Sequence, residues 1–401
     1  MTGPNAHFSG EMPPFRKALP AVLFVTAIFF INYMNRSIVG PLLVHMEQSL
    51  GLDHVQSTSF LLFLSSGFSA GVVFSGFIAS KIQPRVLVGV SAMGGGCMLL
   101  LLSRAESAFE VRFFLTLLGL ISGQYLTAAL STMGSLVRSE DWSRTIAVHE
   151  LSPTVAFILS PVLAETAASL WGWQGAMLLM GCSSLAGGAF FLLFGKGGRE
   201  KADRPSAAGV VSAFKQPVLW AFIWLFGLGI AGEFAPFSVL SLSLTSEQGL
   251  DTVTASRLLS SSRLASPFAA LLGGWAMMRF GAKKTVGLFL VVHSLSLMGM
   301  ALPISLIGMF PMFLAMTGQA AATAFVFPAL FTVFARSFPH GQQPMLLSLS
   351  VPIASYFGNG FGPFLLGTCG EYLRFSYGYC IFGIVCLASL PLLRFFGRIE
   401  E

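Results

Sequence analysis

The sequence predicts an all-α integral membrane protein, with twelve transmembrane helices arranged as two pseudo-symmetric six-helix bundles. Three observations carry that expectation. The composition is apolar with very few charges, twelve separate runs are long enough to span a bilayer, and the first half of the chain matches the second at an offset of 198 residues.

Hydrophobic residues make up 54% of the 401 positions and charged residues only 10%, where a soluble domain carries about 25% charged. The mean hydropathy is +0.77. So few charges cannot solvate a soluble surface of this size, and intrinsic disorder needs the opposite composition. The five cysteines (Cys97, Cys182, Cys369, Cys380 and Cys386) lie in or beside apolar runs, with no CxxC spacing. They form neither a disulfide framework nor a metal site.

A spanning helix needs about 20 mainly apolar residues. Such runs lie near 18–46, 57–80, 86–103, 109–136, 145–168, 174–195, 217–245, 253–278, 285–304, 307–335, 343–368 and 375–396. Short connections make neighbouring helices antiparallel. Residues 1–17 are polar and Pro-rich, a cytoplasmic lead-in and not a cleaved signal. Residues 18–195 then form one bundle, 196–216 (with GKGGREKADRPSAAG) a cytoplasmic linker, and 217–401 the second bundle with a short cytoplasmic tail. Basic residues accumulate in cytoplasmic loops. With the N-terminus inside, 17 of the 23 cations fall on the inner side, and only Arg104, Arg112, Arg257 and Arg374 fall outside. The net charge of +6 therefore records topology and not a nucleic-acid partner.

At the 198-residue offset, SLGLDHV (Ser49–Val55) falls on EQGLDTV (Glu247–Val253), and GFIASKIQPRVLVG (Gly76–Gly89) on GWAMMRFGAKKTVG (Gly274–Gly287). Arg138 and Arg336 coincide as well. Two similar halves related by an axis normal to the membrane are a transporter architecture, with the substrate site between them near the midplane.

The second of these stretches resembles the loop signature of the major facilitator superfamily, G-x-x-x-D-R-x-G-R-R. Gly274, Arg279, Gly281, Lys283 and Lys284 match it, with Met278 where the acid belongs. The first copy keeps Gly76, Lys81 and Arg85, with Ser80 for the acid and Gln83 for a glycine. Ser160-Pro161 and Trp171-Gly172-Trp173 are similar to the family's Gly-Pro and W-x-W segments, and the resemblance runs over essentially the whole chain. It implies the two-bundle fold, transport by alternating access and a gating role for the Gly274–Lys283 loop. The missing acid removes from that role whatever the family assigns to it. GNGFGPFLLG (Gly358–Gly367) supplies small residues for close helix packing.

Ionisable groups inside a bilayer are costly and by default mark a pathway. Outside the loops the sequence leaves Arg36, His149, Glu150, Glu165, Glu233, Arg263 and His293. Arg36 shares a helix-1 face with Asn32 and Tyr33; it either snorkels to the outer interface or holds an anionic substrate. Arg263 lies near the midplane beyond the reach of snorkelling. It is a substrate or coupling residue, or else half of a fixed ion pair with Glu233 or Glu150. Glu233, the repeat equivalent of Asn35, is the first candidate for carrying a proton, and His149-Glu150 the second, unless Glu150 merely pairs with Arg144. Glu165 is expected at the outer interface and His293 at the periphery. Gln124 and Tyr125, Gln319 and Thr323, and Tyr356 and Asn359 are candidate cavity groups. The abundant Phe and Gly read as packing.

The leading expectation is thus a proton-coupled symporter of a small organic anion, a carboxylate. NYMNRS (Asn32–Ser37) is similar to the Asn-Tyr-x-Asp-Arg segment of the anion:cation symporter branch, with Asn35 in place of the acid. The alternative is a proton-driven efflux antiporter of drugs or metabolites, and a receptor reusing the fold is a distant third. No nucleophile elbow, phosphate loop or metal-ligand spacing suggests an enzyme. The remaining expectations are no cofactor or metal, a monomer in a bilayer, and a bacterial inner-membrane location with both termini cytoplasmic.

Overall fold

The computed structural model describes residues 14–198, 215–338 and 343–396. Most of the 196–216 segment, including Arg199, Lys201 and Arg204, lies outside the described residues, as does Arg398.

All regular structure among the described residues is helical, and the chain makes twelve passages. They are α1 (Phe15–Leu50), α2 (His54–Ala79), α3 (Pro84–Leu102), α4 (Ala108–Gly134), α5 (144–171), α6 (173–194), α7 (Pro217–Ser246), α8 (252–280), α9 (Ala282–Met300), α10 (Met309–Ser337), α11 (343–372) and α12 (Phe375–Phe395). Eight continuous stretches are long and apolar enough to cross a membrane by length and composition. Local chemistry accounts for the difference between eight and twelve. The 51 residues of Arg144–Phe194 would extend far beyond a bilayer as one rod, and the chain turns at Gly172 (φ 71°), dividing α5 from α6. A 3₁₀ turn at Arg263–Ala265 interrupts α8, and a π-helical segment at Tyr356–Phe361 interrupts α11. In α9 the first turn carries Lys283 and Lys284.

The repeat appears in the backbone itself. Gly51 and Gly249, 198 positions apart, both adopt the left-handed conformation (φ 63° and 68°) just after a helix. Two residues later Asp53 and Asp251 cap the next helix by accepting from the backbone N–H groups of Gln56 and Thr254. The gating-loop copies differ. Gly281 links α8 to α9 at φ 81°, whereas Gln83 is extended and Pro84 starts α3. Arg85 ties that start to the end of α6, donating to the Gly195 carbonyl at 2.7 Å.

Most described loop cations lie on one face of the molecule, which also receives both ends of the described chain at Pro14 and Phe396, while Glu47, Asp53, Glu165, Glu247, Asp251 and Glu371 gather toward the other, acidic face. The halves meet toward the acidic face through three pairs: α1 with α7, α2 with α11, and α5 with α8. Gly40 lies directly against the backbone of Ser238, and Gly367 against Thr58, so a larger side chain at either would wedge the halves apart. Ser65 and Ser69 of α2 donate to the carbonyls of Ser355 and Pro352 at 3.0 and 2.9 Å. Ser260 of α8 donates to the carbonyl of Ile158 in α5, and the His54 backbone N–H donates to Glu371 at 2.9 Å. Toward the basic face, Tyr125–Gly134, Trp142–His149 and Ser266–Phe280 pack chiefly within their own halves. The assembly is closed on the acidic side and parted on the basic side.

Glu165 is the centre of that closure. Buried at 9% exposure, it contacts the His45 ring at 2.9 Å and accepts from the Thr252 hydroxyl of the other half at 2.8 Å. A hydrogen bond to a charged group contributes about 1.5–3 kcal/mol, enough to shift a two-state equilibrium about tenfold or more. Glu165→Ala is therefore expected to populate an acidic-side-open state. Spin labels on Gln48→Cys and Ser246→Cys, both exposed positions, should report a longer distance population in the variant; an unchanged distribution would remove Glu165 from this role.

Candidate functional site

Between the halves lie two guanidinium groups, each next to a helix break. Pro267 has no N–H to offer the carbonyl of Arg263 four residues earlier, so α8 tightens into the 3₁₀ turn that begins at Arg263. Pro41 does the same to the Ser37 carbonyl, and α1 is interrupted at Ile38, just after Arg36.

Arg263 is 3% exposed. It donates to Gln319 Oε1 at 3.2 Å, and its guanidinium lies over the rings of Phe237 (5.1 Å) and Phe157 (5.6 Å). Gln319 is itself held by donating to the Gly232 carbonyl, the acceptor that Pro236 leaves free in α7 by lacking an N–H. Nε of Arg263 is buried without a partner. Among the described residues no carboxylate lies within 4 Å of this guanidinium, so the fixed ion pair with Glu233 or Glu150 weighed from the sequence does not form. Arg144 pairs with Asp141 at 3.4 Å and not with Glu150.

Arg36 has the same character. Its guanidinium lies over Phe68 (4.4 Å) and Tyr33 (5.0 Å), its Nε is buried and unpartnered, and no described carboxylate pairs with it. It does not snorkel to the interface; it lines a small, partly open cavity together with Leu61, Leu64, Ser65, Phe68, Phe234, Ser238 and Asn359. Asn359 Oδ1 is buried there without a partner.

Tyr33 is the hub. Its ring meets Phe157 of α5 at 5.4 Å and Phe234 of α7 at 5.8 Å. It lies within electrostatic reach of Arg36, Arg263, Glu233 and Glu150. Glu233 is half-buried, close enough to Arg263 to feel its charge but not within ion-pair distance. Glu150 is 54% exposed and touches the His149 ring at 3.1 Å, while His149 itself is fully buried, stacked on Phe29 at 4.1 Å.

Other sequence-selected residues turn away from this space. Gln124 donates to the Gly71 carbonyl at 2.7 Å, and the Tyr125 hydroxyl donates to the Val25 carbonyl at 2.8 Å, both inside the first half. Asn35 bonds Ser184 of α6 at 2.9 Å, so it does not share the cavity with its repeat equivalent Glu233. Asn32 is buried on α1, and Tyr356 stands at the start of the π segment beside Phe357. His293 is buried at 0% against Gly232 inside the second half, not at its periphery. Gly274 has open space around it, and Arg279 is exposed near the basic loop.

The residues the sequence reading passed over are aromatic: Phe68, Phe157, Phe234 and Phe237. Two signals were available. Phe157 lies two helical turns after Glu150 and one before Pro161, on a shared face, and Phe234 is the repeat equivalent of Arg36.

A model of the Major Facilitator Superfamily matches residues 25–260 and 230–401. No curated protein matches the chain significantly. Among solved structures, the chain resembles the nucleoside transporter NupG, with a TM-score of 0.80 at 14% identity, over 94% of this chain and 100% of that one. It resembles a peptide transporter of the POT family with a TM-score of 0.79 at 12% identity, over 99% and 98%. A bacterial homolog to the human lysosomal transporter Spinster, in an inward-facing and occupied conformation, aligns with a TM-score of 0.76 at 14% identity, over 96% of each chain. At such identities the likeness carries the fold and no substrate.

The bonding of Tyr125 gives a test of which groups are structural. Tyr125→Phe removes the buried hydrogen bond to the Val25 carbonyl and the 3.3 Å contact of the hydroxyl with His149 Nε2, so it is expected to lower stability by about 1–2 kcal/mol while leaving the KM for transport within about twofold. A large change in KM with unchanged thermal stability would return Tyr125 to the substrate path.

Proposed function

The chain belongs to the major facilitator superfamily, and from that premise we propose that it moves a small organic anion, a carboxylate, by proton-coupled symport. As a secondary transporter and multi-pass membrane protein, it works by alternating the access of a central site. The observation that carries the anion is the pair of guanidinium groups, one from each half, neither within 4 Å of a described carboxylate. A permanent cation in a low-dielectric cavity attracts a mobile anion strongly when no fixed carboxylate sits within ion-pair distance of it. The NYMNRS similarity to the anion:cation symporter branch points the same way.

The basic face is cytoplasmic by the loop-charge rule, so both ends of the described chain lie inside and the cleft faces the cytoplasm. A bacterial inner membrane is the setting this favours. Glu233 is the proposed proton carrier. Protonated, it withdraws its charge from the neighbourhood of Arg263; ionised, it competes with the substrate anion for that cation. Proton and anion are then bound together or released together. Two guanidinium groups disfavour a lipophilic cation by like-charge repulsion, which ranks drug efflux lower.

Arg263→Ala is expected to reduce uptake of the substrate at least about a hundredfold, with the protein still folded in the membrane by size-exclusion profile. Retained uptake would sink the anion assignment at this residue. Glu233→Gln is expected to keep substrate exchange across proteoliposomes but lose accumulation driven by a pH gradient. Accumulation equal to that of the unmodified protein would remove Glu233 as the carrier.

A further inference from the structure

Resting on the anion reading, we propose that the substrate class is the aromatic carboxylates, with the carboxylate on Arg36 and the ring between Phe68 and Phe234. The cavity beside Arg36 is walled by the rings of Phe68 and Phe234 and by Leu61 and Leu64. Its apolar walls come from both halves, α2 from the first and α7 from the second, so the space is small while they meet, and a planar ring that enters when they part is gripped as they close again. The aromatic surface continues beyond it: Phe234 meets Phe157 at 5.1 Å, and Phe157 meets Phe237 at 4.6 Å.

Two hydroxyls line the cavity, and one of them, Ser65, already donates to the Ser355 carbonyl. A sugar acid brings several hydroxyls, each of which loses its water on entry and needs a partner. Here it finds few polar atoms besides Ser238 and the unpartnered Asn359 Oδ1. An aryl ring has no such requirement, and ring–ring contact adds to simple apolar burial. A straight aliphatic acid is accommodated too, but without that addition.

Binding of benzoate, cyclohexanecarboxylate, glucuronate and benzyltrimethylammonium to the purified full-length protein, by isothermal titration calorimetry, separates the cases. Benzoate is expected to bind roughly fivefold more tightly than cyclohexanecarboxylate and more tightly still than glucuronate. In Phe234→Leu, and independently in Phe68→Leu, the benzoate-to-cyclohexanecarboxylate ratio should fall toward one. Because the ratio is internal to each variant, partial loss of folded protein does not mimic the effect. Equal affinity for the two acids, or preference for glucuronate, would overturn the aromatic class and leave the anion reading standing. Binding of benzyltrimethylammonium in place of every carboxylate, or of none of the four, would overturn both.

Discussion

A guanidinium group buried without a carboxylate is the constraint around which the interior is built. Removing such a charge from water costs several kcal/mol even after relaxation. Arg263 recovers part of this by donating to Gln319, about 1.5–3 kcal/mol for a bond involving a charged group, and part from two ring faces at about 0.5–2 kcal/mol each. Arg36 has two ring faces and, among the described residues, no hydrogen bond at all. Both cations are thus held in position but only partly compensated. The uncompensated remainder is what an incoming anion can satisfy. The rings do two things at once: they support the cations and keep the walls free of fixed negative charge.

The same economy of polar groups decides how the halves move. On the acidic side the closure uses hydroxyl-to-carbonyl bonds, close glycine approaches and the Glu165 junction with His45 and Thr252. None of these is a strong fixed ion pair between the halves. Each can break without leaving an unpaired charge in hydrocarbon, since Glu165 keeps His45, which belongs to its own half. A closure of this kind is bistable: stable when the halves meet, and cheap enough to release for access to alternate. A buried Glu–Arg bridge in the same place would make opening cost about 3–5 kcal/mol per pair.

Much of the architecture was legible because it rests on composition and short local signals. Few charges, twelve apolar runs and the G-L-D motif at both Gly51–Asp53 and Gly249–Asp251 are properties of the chain itself, and the backbone turns and caps follow from them. The two arginines were legible for the same reason, since a charge in hydrocarbon stands out. What periodicity could not give is the direction of uncharged side chains. Gln124 and Tyr125 are polar in a membrane helix, yet each serves a carbonyl of its own half. Asn35 and Glu233 share a repeat position, yet Asn35 is drawn inward by Ser184. Phenylalanine was illegible for the opposite reason: it is so abundant that only the packing of α1, α5 and α7 distinguishes the rings of the site from those of the core.

The departures from symmetry explain why there are two cations and not four. At the 198-residue offset Arg36 corresponds to Phe234 and Arg263 to Ser65. Both counterparts line the cavity of Arg36 itself. Had both copies kept arginine, the cavity would hold three guanidinium groups from α1, α2 and α7, with Arg263 close by. Their mutual repulsion in a low-dielectric space would resist closure. One copy of each pair instead supplies a neutral partner: a ring that packs on Tyr33, and a hydroxyl that ties α2 to α11. The cavity therefore gains its charge from one half of each repeat pair and its closure from the other. A single small carboxylate offsets one of the two charges that remain, and Glu233 lies near the other.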